Sequence, residues 1–294
     1  MEVRGFILPK EGESFSSCQD RFCVNSDTKS IAISDGTTSG GLYQGLWADL
    51  LVNNFTEKDC WDAETIKSIA LEWRQAVKDK IDRRKKENDP YVDYAEELFY
   101  FGGSYGYGYA TFCGIRFLED NKIESYIIGD SCLFVVDKNY AIKNIYPQSI
   151  EEEGFGNRPE LLISNRDNAF RGEMHKSEIS VDKTDKILLA TDALAEFIWK
   201  NRVETNIIKS LFKVKNHRQF SQFVNRYRDD KTLHIDDTTL VIVTNMKEPN
   251  FSECFIDRVD DFIDFENEIV TYFDSYEKRR DEFDSMYKHL DIGV

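Results

Sequence analysis

The sequence is poor in the residues that would make it a stapled or thiolate-caged scaffold. It has six cysteines in 294 residues (Cys18, Cys23, Cys60, Cys113, Cys132, Cys254), scattered and without a Cys-x-x-Cys. They read as free thiols in a reducing compartment. Its four histidines (His175, His217, His234, His289) form no i,i+4 pair, which argues against zinc. Basic residues are also short: 38 Lys plus Arg against 54 Asp plus Glu, a net charge of -16. That argues against nucleic acid or an anionic membrane as the main partner. No apolar run approaches a membrane span, and Glu2 with no apolar stretch after it argues against a signal peptide. The expectation is a cytoplasmic protein. No Cys-x5-Arg offers a thiol nucleophile, and no internal repeat or low-complexity linker divides the chain.

What is present is a globular composition, 41% hydrophobic and 13% aromatic, with length for one large domain or two small ones. The stretch Ser30-Ile31-Ala32-Ile33-Ser34-Asp35-Gly36-Thr37 reads as a buried strand that ends on an acid and a glycine. Such a strand can present a carboxylate to a hard cation, and it can equally be a plain Asp-Gly turn. Before it, residues 18–25 read as a strand whose start carries Asp20, giving a hairpin with an acid in each arm. Helices are expected at about 42–55 and 63–84, the second ending in a solvated Arg83-Arg84-Lys85-Lys86. A polar aromatic insert follows from Asn88 to Gly103, then strands at 107–117, 123–128, 132–137 and 140–145. Residues 146–178 read as a long irregular excursion, of the sort that serves as a lid. A strand at 186–190 leads into a helix at 193–199, with Asp192 suited to cap it. Two short helices and a strand at 239–244 complete the pattern. Strands and helices come in blocks, so the class is α+β.

Five acids share one setting, each at the lip of a buried element: Asp20, Asp35, Asp130, Asp192 and Asp236. Taken singly, each suits a turn or a cap. Taken together, they suit an all-oxygen site for Mg²⁺ or Mn²⁺.

Cys18-Gln19-Asp20, Ile33-Ser34-Asp35-Gly36, Ala110-Thr111, Ile128-Gly129-Asp130-Ser131, Leu189-Ala190-Thr191-Asp192 and Asp236-Asp237-Thr238-Thr239-Leu240 occur in this order. In order and spacing they resemble the protein phosphatase 2C family, the metal-dependent PPM serine/threonine phosphatases. The Cys-Gln-Asp opening resembles a bacterial-type branch. The resemblance implies a four-layer α-β-β-α sandwich of two antiparallel sheets flanked by helices, over residues 1–246. It also implies a site in which Asp35 bridges two metal ions and Asp192 and Asp236 complete one of them. The Gly36 carbonyl would complete the other, and Asp20 would hold the site through metal-bound waters. Asp130, Asp192 and Glu196 match a third, weaker metal site. The implied activity is hydrolysis of phosphoserine and phosphothreonine in proteins by a metal-bridging hydroxide, without a covalent intermediate. Mn²⁺ or Mg²⁺ is the implied cofactor, and a phosphorylated protein tied to a Ser/Thr kinase in signalling is the implied substrate.

The sequence departs from that pattern in four places. Gln19 stands for a glutamate, Thr37 for the histidine of some members, and Ala193 for a glycine. The arginine that eukaryotic members place before the first acid has no match in Ser14 to Ser17, leaving Arg4, Arg158, Arg166 and Arg171 as candidates to hold phosphate. The alternative to an enzyme is a regulatory or binding protein that keeps the fold with weak catalysis.

Residues 247–294 lie outside the resemblance and read as an acidic amphipathic helical extension. Its apolar positions run through Phe255, Val259, Phe262, Ile269, Phe273, Tyr276, Phe283, Tyr287 and Leu290, interrupted at Glu266 and Arg280. It either packs on its own domain or docks a second copy or a partner.

Overall fold

The fold is taken from a computed structural model, which describes residues 1–13, 17–37, 41–89, 92–156, 158–247 and 250–257. The first half forms β1 (Glu2–Leu8), β2 (Asp20–Asn25), β3 (Ser30–Asp35), α1 (Gln44–Glu57), α2 (Ala63–Lys86), α3 (Val92–Phe101), a 3-10 turn (Gly103–Gly106), β4 (Tyr109–Ala110), β5 (Phe112–Phe117) and β6 (Lys122–Ile128). The second half forms β7 (Cys132–Val136), β8 (Ile142–Tyr146), α4 (Gln148–Glu153), β9 (Leu161–Ile163), β10 (Phe170–Arg171), β11 (His175–Ser180), β12 (Lys186–Ala190), α5 (Asp192–Lys200), α6 (Thr205–Leu211), α7 (His217–Asp229), β13 (Thr238–Thr244) and β14 (Glu253–Asp257).

Two large sheets carry the architecture, ordered β14-β1-β13-β12-β7-β8 and β11-β6-β5-β3-β2. Strand alternation sorts their side chains into three cores. On β3, Ile31 and Ile33 join the core between the sheets while Ala32 faces the α1–α2 layer. On β13, Val241 and Val243 point to the same central core, and Leu240 and Ile242 to the α5–α7 layer. Trp47, Leu51, Phe55, Trp73 and Val77 fill one outer core, and Leu194, Phe197, Ile198, Phe220 and Val224 the other. The four layers expected from the motifs are present.

Several expectations are corrected. The insert after Asn88 is helical over Val92–Phe101, with Val92, Ala95 and Phe99 buried at helical spacing. The basic end of α2 is not wholly solvated: Arg84 is buried and its Nε lies 2.8 Å from Asp89. Residues 146–178 are no irregular excursion. They contain α4, and β9 pairs with β4 and β10 in a three-stranded sheet. The strand expected from Tyr107 breaks at Thr111 into β4 and β5, because β4 turns to serve that small sheet.

Of the segment from Glu248 onward that the structure describes, Glu253–Asp257 is strand rather than helix. β14 runs parallel to β1, Glu2 opposite Glu253 and Phe6 opposite Asp257, so the large sheet is not purely antiparallel. Val259 to Leu290 and the interruptions at Glu266 and Arg280 lie outside the described residues. Ending the chain after Met246 strips β14 from the β1 edge and uncovers Ile256's neighbours in the central core. Relative to a chain ended after Asp257, a loss of about 2 kcal/mol is expected from the apolar area exposed. Equal denaturant midpoints for the two truncations would show that β14 contributes nothing.

Candidate metal centre

The β2–β3 hairpin sets the first pair of acids. Asn25 accepts from the amides of Asp27 and Thr28 in the turn, fixing a register in which Asp20 pairs with Asp35. Both carboxylates therefore come to one end of the sandwich. Gly36 is required there because the chain is closely packed: a Cβ would lie 2.9 Å from the Gln44 carbonyl carbon and 3.1 Å from the Gln19 oxygen. The amides on either side of Gly36 bond across to β4, Thr37 N to Tyr109 O and Thr111 N to Asp35 O. The Gly36 carbonyl stays out of that pair.

Asp130 comes from the tight turn between β6 and β7. Gly129 adopts φ +89°, and a Cβ there would meet the Glu160 oxygen at 2.6 Å, so the turn that aims Asp130 needs glycine. Asp192 opens α5 and Asp236 precedes β13. Asp192 is not the cap of its helix: Thr191 holds that place, and Asp192 is the first helical residue. An alanine at 193 fits this first turn without strain, since its N–H donates to the Asp192 carboxylate and its methyl is buried.

Asp35, Asp130, Asp192 and Asp236 line one cleft of about 900 Å³. Asp20 sits behind them, buried. Its Oδ2 accepts from the hydroxyls of Thr191 and Thr239, each at 2.8 Å, while its Oδ1 is buried without a hydrogen-bond partner. Asp130 Oδ1 is likewise buried and unpartnered. Burial pushes the Asp20 carboxyl up to about 7, aided by the charge of Asp237 and opposed by the two threonine hydroxyls. Burial raises Asp130 to about 6, with Glu196 adding to it. Asp35 is held well above the carboxylate range by burial and then by Asp192, Asp20, Asp236 and Asp130. Asp192 is raised by burial, Asp130, Asp236 and Asp20.

This is a cluster of mutually repelling like charges, with Lys10 and Arg228 close enough to Asp236 to feel its charge. Two buried oxygens without donors fit a cation. Among the described residues no three His, Cys, Asp or Glu side chains are grouped so as to hold one metal ion between them. A hard ion such as Mg²⁺ keeps several waters and takes few protein ligands.

The three residues expected at a third site lie close together. Asp130, Asp192 and Glu196 share a smaller pocket of about 330 Å³ with His234 and Asp236. Glu196, however, already pairs with Lys200 and with His234 Nε2, both at 2.9 Å. Sequence reasoning missed His234 here, because nothing local in the sequence ties it to α5.

It also missed Asp237, whose carboxylate accepts from the backbone N–H of Lys10 at 2.9 Å and of Gln19 at 2.7 Å. Asp237 thereby pins the β1–β2 connection. Gln19 contributes its backbone, also accepting from Gly36 N. Cys18 is buried and its thiol pushed well up, chiefly by burial. All six cysteines are free.

Of the four arginine candidates for phosphate, Arg158 and Arg171 line the cleft, with Arg171 Nη2 donating to Pro159 O at 2.9 Å. Arg4 does not: its guanidinium is spent on the carbonyls of Phe212 and Val214. Arg166 is exposed and outside the cleft lining. Thr37 lines the cleft, its hydroxyl donating to Gln44 Oε1 at 2.6 Å.

The threonine pair gives a clean test. Replacing both Thr191 and Thr239 with valine keeps the shape but leaves Asp20 Oδ2 without donors, and also takes from the Thr239 N–H the Thr191 hydroxyl that accepts from it at 2.9 Å. The double variant should fold and need about tenfold more metal for half-maximal occupancy, measured by calorimetric titration with Mn²⁺. Unchanged affinity would remove Asp20 from the centre.

No protein-family model matches the sequence, and no curated protein matches it. Solved structures do. The chain aligns with a bacterial serine phosphatase at a TM-score of 0.51 and 16% identity, covering 83% of this chain and 98% of that one. It aligns with the serine/threonine phosphatase Stp1 from Staphylococcus aureus at a TM-score of 0.52 and 13% identity, covering 83% of this chain and 94% of that one. At these identities the likeness is one of fold. Among the described residues, no helix is long and apolar enough to cross a membrane.

Proposed function

We propose that this chain, whose fold is that of the protein phosphatase 2C family, is a metal-dependent protein serine/threonine phosphatase. The observation that carries the reading is the acid cluster: four carboxylates on one cleft floor, a fifth behind them, and two buried oxygens lacking any donor. Asp35, Asp192, Asp236 and the Gly36 carbonyl would hold two Mn²⁺ or Mg²⁺ ions, with Asp20 behind. Asp130 and Asp192 would serve a third, with Glu196 released from His234. When bound, the ions supply an activated water nucleophile and neutralise charge on the phosphoryl oxygens.

The chain's own residues do the rest. Asp20 is fixed by Thr191 and Thr239, so the carboxylate geometry is set before any ligand arrives. Arg158 and Arg171 supply the positive charge on the cleft wall, suited to a phosphate monoester approaching an acidic floor. In this proposal the catalytic unit, read from the sequence as residues 1–246, runs on through β14 to Asp257, because that strand completes the large sheet. The residues after it form an extension that packs on the domain or associates with a second copy or a partner. Release of phosphate from a phosphothreonine peptide and from phenyl phosphate, with and without Mn²⁺, tests it. Turnover with metal alone supports the enzyme. Metal binding without turnover of either compound would replace it with a regulatory protein that keeps the fold.

Thr37 adds a finer expectation. Its hydroxyl is committed to Gln44, and no imidazole stands in its place to protonate a leaving alkoxide. Phenyl phosphate, whose leaving group needs no proton, should turn over at least about tenfold faster than phosphoserine at saturation. Equal rates, with the chemical step shown to be limiting, would assign the proton to another group.

A further inference from the structure

Exposed apolar side chains cost free energy, and on this molecule they are not spread evenly. Of the eight large hydrophobic residues exposed among the described residues, three fall within six positions: Tyr100, Phe101 and Tyr105. Phe101 is 84% exposed and Tyr105 56%. The stretch is Tyr100-Phe101-Gly102-Gly103-Ser104-Tyr105, the end of α3 and the 3-10 turn after it.

This segment is held in place. Gly102 N donates to Leu98 O at 2.9 Å, and Tyr105 N to Gly102 O at 3.0 Å. The Tyr109 hydroxyl donates to Ser104 O at 2.7 Å. A Cβ at Gly102 or at Gly106 would lie 2.5 Å from Leu98 O, so both glycines let the turn lie against the helix end. The aromatic rings are thus displayed from a fixed turn, at low ordering cost to anything that binds them.

The turn is continuous with the acid cleft. Ser104, Tyr105 and Tyr109 line it, together with Pro159, Leu161 and the two arginines. At about 900 Å³ the cleft has room for far more than one phosphorylated side chain. Its floor is acidic, one part of its wall cationic, and its Tyr105 rim aromatic. A phosphopeptide matches that sequence of surfaces when an apolar residue flanks the phosphorylated one.

The geometry points to this rim as a docking face for an apolar or aromatic side chain close to the phosphorylated residue of a peptide substrate, with Tyr105 selecting it. The inference rests on the phosphatase reading of the cleft. Tyr105 acts here on specificity, through contact with the flank and not with the reacting phosphate.

The test uses the full metal-loaded chain and two phosphothreonine peptides that differ only in carrying Phe or Ser at the two positions on either side. Hydrolysis is followed by phosphate release, and binding by fluorescence anisotropy. The Phe peptide should be favoured about five- to tenfold in kcat/KM and in Kd, mainly through KM. Tyr105→Ala should bring that ratio to within about twofold of unity, and Tyr105→Glu, a second variant suited to an exposed site, should do the same. Val203→Ala, which removes an exposed side chain outside the cleft lining, should keep the ratio. No preference in the parent protein, or one that survives both Tyr105 variants, overturns the proposal. So does a preference that appears only at concentrations where the chain self-associates, which would give the rim to a second copy. If neither peptide is hydrolysed yet anisotropy shows the same Tyr105-dependent preference, the docking face stands and the phosphatase reading falls.

Discussion

Asp35→Asn should abolish metal-dependent turnover, by about a thousandfold or more, while making the metal-free protein more stable. The two effects share one cause. Asp35 carries the repulsion of Asp192, Asp20, Asp236 and Asp130, and in the proposed centre it is the ligand common to both ions. An amide of the same shape removes a charge that the metal-free fold must bury at a cost and that the loaded site requires. A loss of a thousandfold corresponds to about 4 kcal/mol of transition-state stabilisation. Phosphate-release kinetics across a Mn²⁺ series, beside thermal melts in chelator, measure both. Near-normal activity would take the bridging role from Asp35. A metal-free melting temperature below that of the parent would mean the site's charges are not in conflict. Asp192→Asn and Asp236→Asn should also lower activity, but chiefly by raising the Mn²⁺ concentration needed.

The second large effect is on stability against pH. Asp20 and Asp130 bind protons more tightly in the folded chain than in the unfolded one, with carboxyls raised to about 7 and about 6. Asp35 and Asp192 are raised in the same direction. Below about pH 4 these groups are protonated in both states and add no slope. Between there and their folded values the folded state holds more protons, so its stability falls as pH rises. The metal-free protein should therefore melt at a higher temperature at pH 5.5 than at pH 8. Mn²⁺ at a hundred times its dissociation constant should restore about 2.7 kcal/mol at pH 8, or about 5 °C. Metal uptake at pH 6.5 should release protons into a weakly buffered solution. A flat or rising melting curve between pH 5.5 and 8 in chelator would contradict the charge arrangement.

The positions of the acids were legible in the sequence because each sits where an apolar run stops. Asp35 ends Ile31-Ala32-Ile33-Ser34, Asp192 follows Leu188-Leu189-Ala190-Thr191, and Asp236 precedes Thr239-Leu240-Val241. Strand alternation then distributed Ile31 and Ile33 to one core and Ala32 to another, as period-two patterning requires. The α1 and α2 helices were equally open to reading, from apolar residues at helical spacing. These are local signals, and local chemistry settles them.

Tertiary structure decided what local patterns could not encode. The segment 253–257 has acidic and apolar residues that suit a helix, yet it forms β14, because β1 offers a free edge beside it. Within the segment after Tyr146 that reads as irregular, Leu161-Leu162-Ile163 becomes strand where β4 provides a partner. Among four arginines of equal standing in the sequence, contact alone separated Arg158 and Arg171 on the cleft from Arg4 bound to two carbonyls. Asp237 and Asp236 are adjacent acids, and only the approach of the Lys10 and Gln19 amides turned one into a staple while the other faces the cleft. By itself the sequence determined which acids end which buried elements, since burial periodicity is written along the chain. Which of their oxygens converge, and which cations and aromatics face them, was decided by contacts between segments distant in sequence, as when Thr191 and Thr239 reach Asp20.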